Sequence, residues 1–567
     1  MQLGLTISLC MTFRWNRCNF IVKRLTSKYS VAFIVRFATL TLTASWIWAT
    51  TAQATEVTGR VVHSGNGSAL PCRLYVQNAD TLTWHFAKSA DAAGSAVEYR
   101  KQIGATPSVE MHTTLSAATF QLLLEPGRYR IRAEHGKEFI PAETEITVGS
   151  AASEFQLALK RFTNMRKQGW FSGDTHVHRT MADLPNLIMA EDLNVALPLN
   201  YWVRDSREIP SASGPLMEAE PICIDATHVI YPVNTEYEIF SVNGKRHTQG
   251  AVFVLNHRTP LNLPAPPALP VAEEARRQGA ILDLDKHSWA WSMMIVPVMK
   301  VDLFELSNNH NWRTQFGFPQ WTTENAPDWP EVERNDAGFT ELGWTEFGMQ
   351  TYYALLNCGF RMRVTGGTGA GVHPVPLGHG RVYVHTGEEF SYEKWIEHLN
   401  LGHSFVTTGP LIDVRFNQML PGTMWSHDSA ENTLVVSGSI LSVIPLRCIE
   451  IIRNGEIAQS LTIEPERTPE GAWKYTLDVS ETLNGSGWLA LRCFEKLPDA
   501  KVSFAHTNPV YIDVANSPLI PRRRDAAFFI KRMDEEITRN TGILPDESLA
   551  EYRKARTIYE AVLERAK

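Results

Sequence analysis

The string Trp170-Phe-Ser-Gly-Asp174-Thr-His176-Val-His178-Arg-Thr-Met-Ala-Asp183 carries the strongest chemical signal in this chain. Two histidines two residues apart on a strand share one face, so both imidazoles can be offered to one ion. Asp183, in the turn beyond the strand, is placed to bring a carboxylate to the same ion. Imidazole with carboxylate is the ligand set of a hydrolytic Zn, Mn or Fe site. The His-x-His pair alone says little: 18 histidines in 567 residues give about 0.5 such pairs by chance. The longer pattern, Trp-x-x-Gly-Asp-x-His-x-His-x4-Asp, is far more selective. Asp174 lies one pleat before His176 on the same face and suits a supporting role, orienting an imidazole through its ring N–H.

The long pattern resembles the first metal motif of the PHP-type metallohydrolases, the polymerase-and-histidinol-phosphatase superfamily. The secreted PHP-like branch that includes the carbaryl hydrolases is the nearest likeness. The resemblance implies a distorted (β/α)7 barrel with ligands at successive strand ends. It places the family's acidic or histidine ligand at Asp183 and its bridging glutamate at Glu236 or Glu238, with Glu236 favoured. It matches His287, after the apolar strand ending Asp283-Leu-Asp285-Lys, to a family histidine, with Asp285 as a second choice. Glu305 with Asn308 fits a later Glu and Asn. His257 follows an apolar strand at its C-terminal end, the usual place for barrel chemistry. The expected metal set is therefore His176, His178, Asp183, Glu236, His257 and His287, with His287 and His373 acting in catalysis. His247 and His310 are weaker candidates. A single histidine is more often structural, and the case rests on several recurring at strand ends.

One departure stands out. The family closes with an Asp-x-His pair, but no aspartate occurs between residues 337 and 412. A glycine-rich stretch, Thr365-Gly-Gly-Thr-Gly-Ala-Gly-Val-His373-Pro, stands there instead. Glycines let the backbone approach closely, and a glycine-rich turn can present N–H groups to an anion. The turn is therefore expected to hold a substrate oxyanion, with His373 as the late ligand and one or two divalent ions rather than three. Such an ion would lower the pKa of a water and polarise a phosphoester, carboxylester or carbamate. The alternative is a non-catalytic secreted binding protein, for carbohydrate for instance, built on a degenerate barrel.

The elements that must position these residues divide the chain. A length of 567 residues implies three or four domains. Residues 1–54 hold six Lys or Arg and no acid. A basic stretch, a short apolar run over 37–48 and Ala52-Gln53-Ala54 read together as an export signal. The run is short for a bilayer span, so a periplasmic or extracellular mature chain without an integral membrane segment is expected. That mature chain carries 48 basic and 61 acidic side chains, net −13. It has no Lys/Arg-rich stripe, which excludes nucleic acid and anionic membranes as partners and leaves a small-molecule or ester substrate.

Residues 55–160 read as a β-sandwich resembling carboxypeptidase-regulatory or transthyretin-like modules, with a hairpin loop at Glu125-Pro-Gly-Arg128. Residues 161–405 alternate strand-like and helix-like stretches, as βαβ units do, and hold 12 of the 18 histidines. Within them, residues 310–345 form an aromatic excursion (Trp312, Phe316, Phe318, Trp321, Trp329, Trp344), read either as a packed loop or as a wall over the site. Residues 406–515 suggest an immunoglobulin-like sandwich, with a hairpin at Asn454-Gly455. Cys448 and Cys493 fall in its strands, as a pair or as two buried thiols. Residues 516–567 form a helical tail, over 525–540 and 546–566, expected to dock on that sandwich.

Overall fold

The computed structural model describes residues 53–104, 108–314, 316 and 331–567. Nearly all of the expected export segment, and Phe318, Trp321 and Trp329, lie outside the described residues. Among the described residues no helix is long and apolar enough to cross a membrane.

In the first β region most strands alternate buried and less buried residues, the mark of a sheet with one wet face, while Cys72–Asn78 and Val109–Leu115 are buried over most of their length. Thr55–His63, Phe120–Leu124 and Ser153–Arg161 belong to a five-stranded sheet. Cys72–Asn78, Val109–Leu115, Gly127–Glu134 and Ala142–Val148 belong to a six-stranded one. Val57, Val61, Leu122 and Leu157 of one sheet meet Leu74, Val76, Ile131 and Val148 of the other in a single core. The turn after Leu124 is not a hairpin loop: Phe120–Leu124 pairs with Thr55–His63, whereas Gly127–Glu134 pairs with Ala142–Val148 and Cys72–Asn78. The turn carries the chain from one sheet to the other, because both strands find better partners far away in sequence.

The central region encloses the histidine pair in a ring of strands. Strand β1 (Trp170–Val177), buried along its whole length, pairs in parallel with β2 (Val195–Pro198). The chain bends at Leu199-Asn200 into β3 (Tyr201–Asp205), parallel to β4 (Thr235–Val242). β4 runs antiparallel to β5 (Lys245–Leu255), and β5 antiparallel to β6 (Ile281–Leu284). β7 (Leu303–Ser307) and β8 (Arg363–Gly366) continue in parallel. The loop after β8 then returns to β1: Gly369 N–H donates to the His176 carbonyl (2.7 Å) and His178 N–H to the Ala370 carbonyl (2.8 Å). Among the described residues the strands do not alternate regularly with helices as a (β/α)7 barrel would. β4 and β5 are joined directly by a two-residue turn at Asn243 (φ 54°) and Gly244 (φ 74°), the left-handed pair that closes a tight hairpin. No helix fits between them.

The second sandwich is not separate from this ring. β1 pairs antiparallel with β9 (Arg381–His385), which pairs with Ser404–Thr407, which pairs in turn with Phe504–Thr507. One sheet therefore runs from the central region into the C-terminal one. Its far part, including Leu446–Arg453 and Gly487–Glu495, packs on a four-stranded sheet that includes Leu411–Phe416, Glu431–Ser442 and Trp473–Asn484. Asn454 and Gly455 close the expected hairpin. Cys448 lies opposite Phe494 and Cys493 opposite Ile449, so the two thiols point to opposite faces and both are free.

The tail forms two helices, α1 (Arg523–Asn540) and α2 (Asp546–Glu564). They pack on the central region rather than on the sandwich. Phe529, Met533, Tyr552 and Tyr559 join its core, and Tyr559 donates to the Met293 carbonyl (2.7 Å). Glu551 of α2 accepts from the N–H groups of Ala268 (2.8 Å) and Leu269 (2.7 Å), at the start of the helix Leu269–Gln278. That helix has no side-chain cap of its own, so α2 supplies one.

Candidate metal centre

β1 ends by presenting His176 and His178 to the interior of the ring. Their Nε2 atoms lie 3.2 Å apart, and His178 Nε2 lies 3.2 Å from Glu236 Oε2 on β4. These three atoms lie within reach of a single ion. On the other side of the same imidazole, His176 Nδ1 is 3.1 Å from Glu305 Oε1 on β7 and 3.6 Å from Asp285 Oδ1, just beyond β6. That second group can also hold an ion.

The donor set fits a divalent cation. Glu236 Oε2 and Asp285 Oδ1 are buried acceptors with no hydrogen-bond donor, a costly state for a carboxylate unless a cation approaches. Two groups share His176, yet a neutral imidazole has one acceptor nitrogen. With Nδ1–H donating to Glu305, 3.1 Å away, Nε2 is left to ligate, the arrangement of carboxylates behind metal-binding histidines. The geometry therefore favours the group of His176, His178 and Glu236, two imidazoles and one carboxylate with coordination positions left open.

A cavity of about 230 Å3 adjoins these atoms, walled by Trp202, Phe240, Trp289 and Val372 and bordered by Glu238, Lys286, His310 and His373. Burial, followed by the neighbouring His178 and Lys286, holds His176 well below the ordinary histidine range, so it stays neutral. Burial and then Glu236 push Glu238 well above the usual carboxylate range. Burial, then Asp285 and Asp283, do the same to Glu305. Burial alone would lower Lys286, but Asp285, whose Oδ2 lies 2.5 Å from Nζ, outweighs it and keeps the ammonium charged.

Several expected site residues lie elsewhere. Asp183 is turned to Arg179 (3.1 Å) at the head of the helix Leu184–Ala190, because the chain reverses at once after β1. His257 has both ring nitrogens engaged, Nε2 with Thr235 Oγ1 (2.8 Å) and Nδ1 with the Thr259 carbonyl (2.9 Å). Thr235 and Glu236 are consecutive on β4 and face opposite sides, so His257 sits on the outer side. His287 packs between Trp344 and Phe347, each ring 4.5 Å away, and burial pulls it down to about 3. Past the end of β6 the two-residue alternation is lost, and Asp285 and Lys286 face the site in its place. His247 is bound to Asn540 of α1 (2.8 Å). His373 does line the cavity, 5.8 Å ring to ring from His310, outside the ligand groups.

Asp174 supports a loop, not an imidazole. It accepts from His176 N–H, Thr368 N–H, Thr368 Oγ1–H and Gly378 N–H. Burial lifts it to about 6. The glycine-rich turn offers no anion cradle, since the N–H groups from Gly367 to His373 are bound within the protein. Its glycines are needed for proximity. A Cβ at Gly367 would stand 2.1 Å from Glu305 Oε1 and 2.3 Å from His176 Cβ. The sequence reading overlooked Lys286, whose only signal was its place between an aspartate and a histidine. Of the aromatic excursion, Trp312 and Trp344 are buried behind the site, Trp344 against His310 (5.1 Å) and Trp312 against His373 (5.8 Å).

No family model matches the chain, and no curated protein does. Among solved structures, a two-domain protein from Bacteroides vulgatus containing a predicted PHP-like metal-dependent phosphoesterase aligns over 60% of this chain and 95% of its own, at 9% identity and a TM-score of 0.27. The shaft pilin SpaA from Lactobacillus rhamnosus GG aligns over 20% of this chain and 48% of its own, at 10% identity and a TM-score of 0.13.

Proposed function

We propose that this protein is an exported metal-dependent hydrolase of the PHP-like type, holding one divalent ion on His176, His178 and Glu236 and cleaving an ester-type bond with water. The observation that carries the reading is the convergence of three buried ligand atoms, one of them a carboxylate oxygen with no donor. The string 170–183 supports the family, and the basic-apolar-Ala52-Gln53-Ala54 order supports export. A divalent ion at this position would acidify a water and polarise the scissile group. The chain's own residues do the rest. Glu305 holds the His176 ring in its ligating tautomer. Glu238, which borders the cavity beside Glu236 and is pushed up by burial, is placed to take and return a proton at its carboxylate. Trp202, Phe240 and Trp289 exclude water and seat the apolar part of the substrate.

The test is metal content, read by elemental analysis of protein purified without chelator. The wild type is expected to carry one equivalent of Zn, Mn or Fe. His176→Ala with His178→Ala should lose both metal and esterase or phosphatase activity while its melting transition persists. A wild type without metal returns the chain to the non-catalytic binding protein.

A further inference from the structure

Resting on the one-ion reading, we propose that Lys286 is the second cation of this centre: its ammonium occupies the electrostatic place of a second metal ion and receives the charged oxygen of an ester-type substrate. The two potential ligand groups share one imidazole, and His176 already spends Nδ1 on Glu305. Asp285 and Glu305 are thus left as two buried carboxylates with no ion of their own. Lys286 answers that charge. It is 3% exposed and pairs with Asp285 Oδ2 at 2.5 Å. The same oxygen accepts from Trp289 Nε1 (3.1 Å), and the ammonium lies 5.2 Å from that indole ring. Its position is therefore fixed from two sides.

An ammonium has three donors. Among the described residues Asp285 takes one, and the remaining two are available to the cavity that Lys286 shares with His178, Glu236 and Glu238. A cavity of about 230 Å3 admits only a small group, so one set of substrate atoms meets both the ligand trio and the ammonium. Glu236 and Glu238 line this space, and Lys286, paired with Asp285 behind it, is the buried cation beside them. Arg204, the other cation lining the cavity, is mostly exposed. The substrate class that fits is an ester whose attacked group bears or develops negative charge on oxygen, with an apolar or aromatic substituent against Trp202 and Phe240.

The experiment counts metal and measures anion binding on the full-length protein. Apo protein is titrated with Zn2+, and equivalents are counted for the wild type, Lys286→Arg and two neutral variants, Lys286→Met and Lys286→Gln. Two neutral variants are used so that the misfolding of one does not decide the test. One equivalent is expected for wild type and Lys286→Arg, and two for the neutral variants, the second ion entering on Asp285 and Glu305. Inorganic phosphate is then titrated calorimetrically into protein supplied with a single equivalent of Zn2+. Affinity should fall at least tenfold in the neutral variants. Two equivalents in the wild type overturn the proposal, as does one equivalent in a folded neutral variant, or unchanged phosphate affinity. A wild type with no equivalent at all defeats the hydrolase reading itself, a separate outcome.

Discussion

Glu236 and Glu305 are both buried carboxylates beside an imidazole, yet they do different work. Glu236 faces the open side of the histidine pair with an oxygen that has no donor, whereas Glu305 faces a ring N–H. Glu236→Gln should therefore abolish tight metal binding. Glu305→Gln should only weaken it, by about 10–100-fold. Competition with a chromophoric chelator distinguishes the two, and equal losses would remove the division of labour. The histidine pair was legible in the sequence because the two ligands stand two residues apart across one strand end. Glu236 came from the family resemblance, as one of two alternating acids between which spacing does not choose. Asp285 was named only as a second choice behind His287, because the alternation of a strand says nothing about residues past its end. Lys286 went unread, since a lone lysine in sequence looks like a solvated charge until a buried aspartate is found to pair with it.

Turns explain most of the difference between the expected barrel and the ring of strands. The Asn-Gly at 454–455 was read as a hairpin, and the same dipeptide at 243–244 closes another inside the central region. That second hairpin replaces a βαβ crossover and makes β4 and β5 antiparallel. The alternation of buried and exposed residues made the sandwiches visible, but it could not say that the strands around residue 125 belong to different sheets, because pairing is decided by partners distant in sequence. The composition of the glycine run suits an anion cradle, but its N–H groups are bound within the protein and its glycines serve close packing. Gly367 exists so that the loop can pass over His176 and Glu305. Gly367→Ala should push both aside, costing about 1–3 kcal/mol of stability by overpacking. It should also lower metal affinity. Urea unfolding and metal titration check this, and an alanine variant with native affinity would show that the loop has room to move.

The N-terminal sandwich is wired into the central region through ionised side chains. Glu110, fully buried, accepts from Tyr75 (2.6 Å) and from Arg313 of the central region (3.0 Å), and meets His112 Nδ1 at 2.7 Å. Tyr99 donates to the His373 carbonyl (2.6 Å) and accepts from Gly371 N–H (2.8 Å), tying the same sandwich to the glycine loop. Burial opposes ionisation of Glu110, but Arg313 and the His112 hydrogen bond prevail and hold it at about 2. A carboxyl depressed on folding stabilises above its unfolded value and loses that contribution as pH falls through its folded one. Stability should therefore drop between about pH 4.5 and pH 2. Glu110→Gln should flatten that limb and cost about 3 kcal/mol at neutral pH by stranding Arg313. Melting curves across pH test it, and an unchanged acid limb would assign the loss to other groups.

At the opposite end of the chain, Glu551 provides the cap that the helix Leu269–Gln278 lacks. This has a temporal consequence. A polypeptide emerges from the ribosome N-terminus first, so the start of that helix is made 282 residues before the carboxylate that caps it. The helix therefore waits without its cap on the nascent chain until α2 has been made. A chain stopped at residue 545 should melt at a lower temperature than the full-length protein and recover part of the loss when a peptide spanning 546–567 is added in trans.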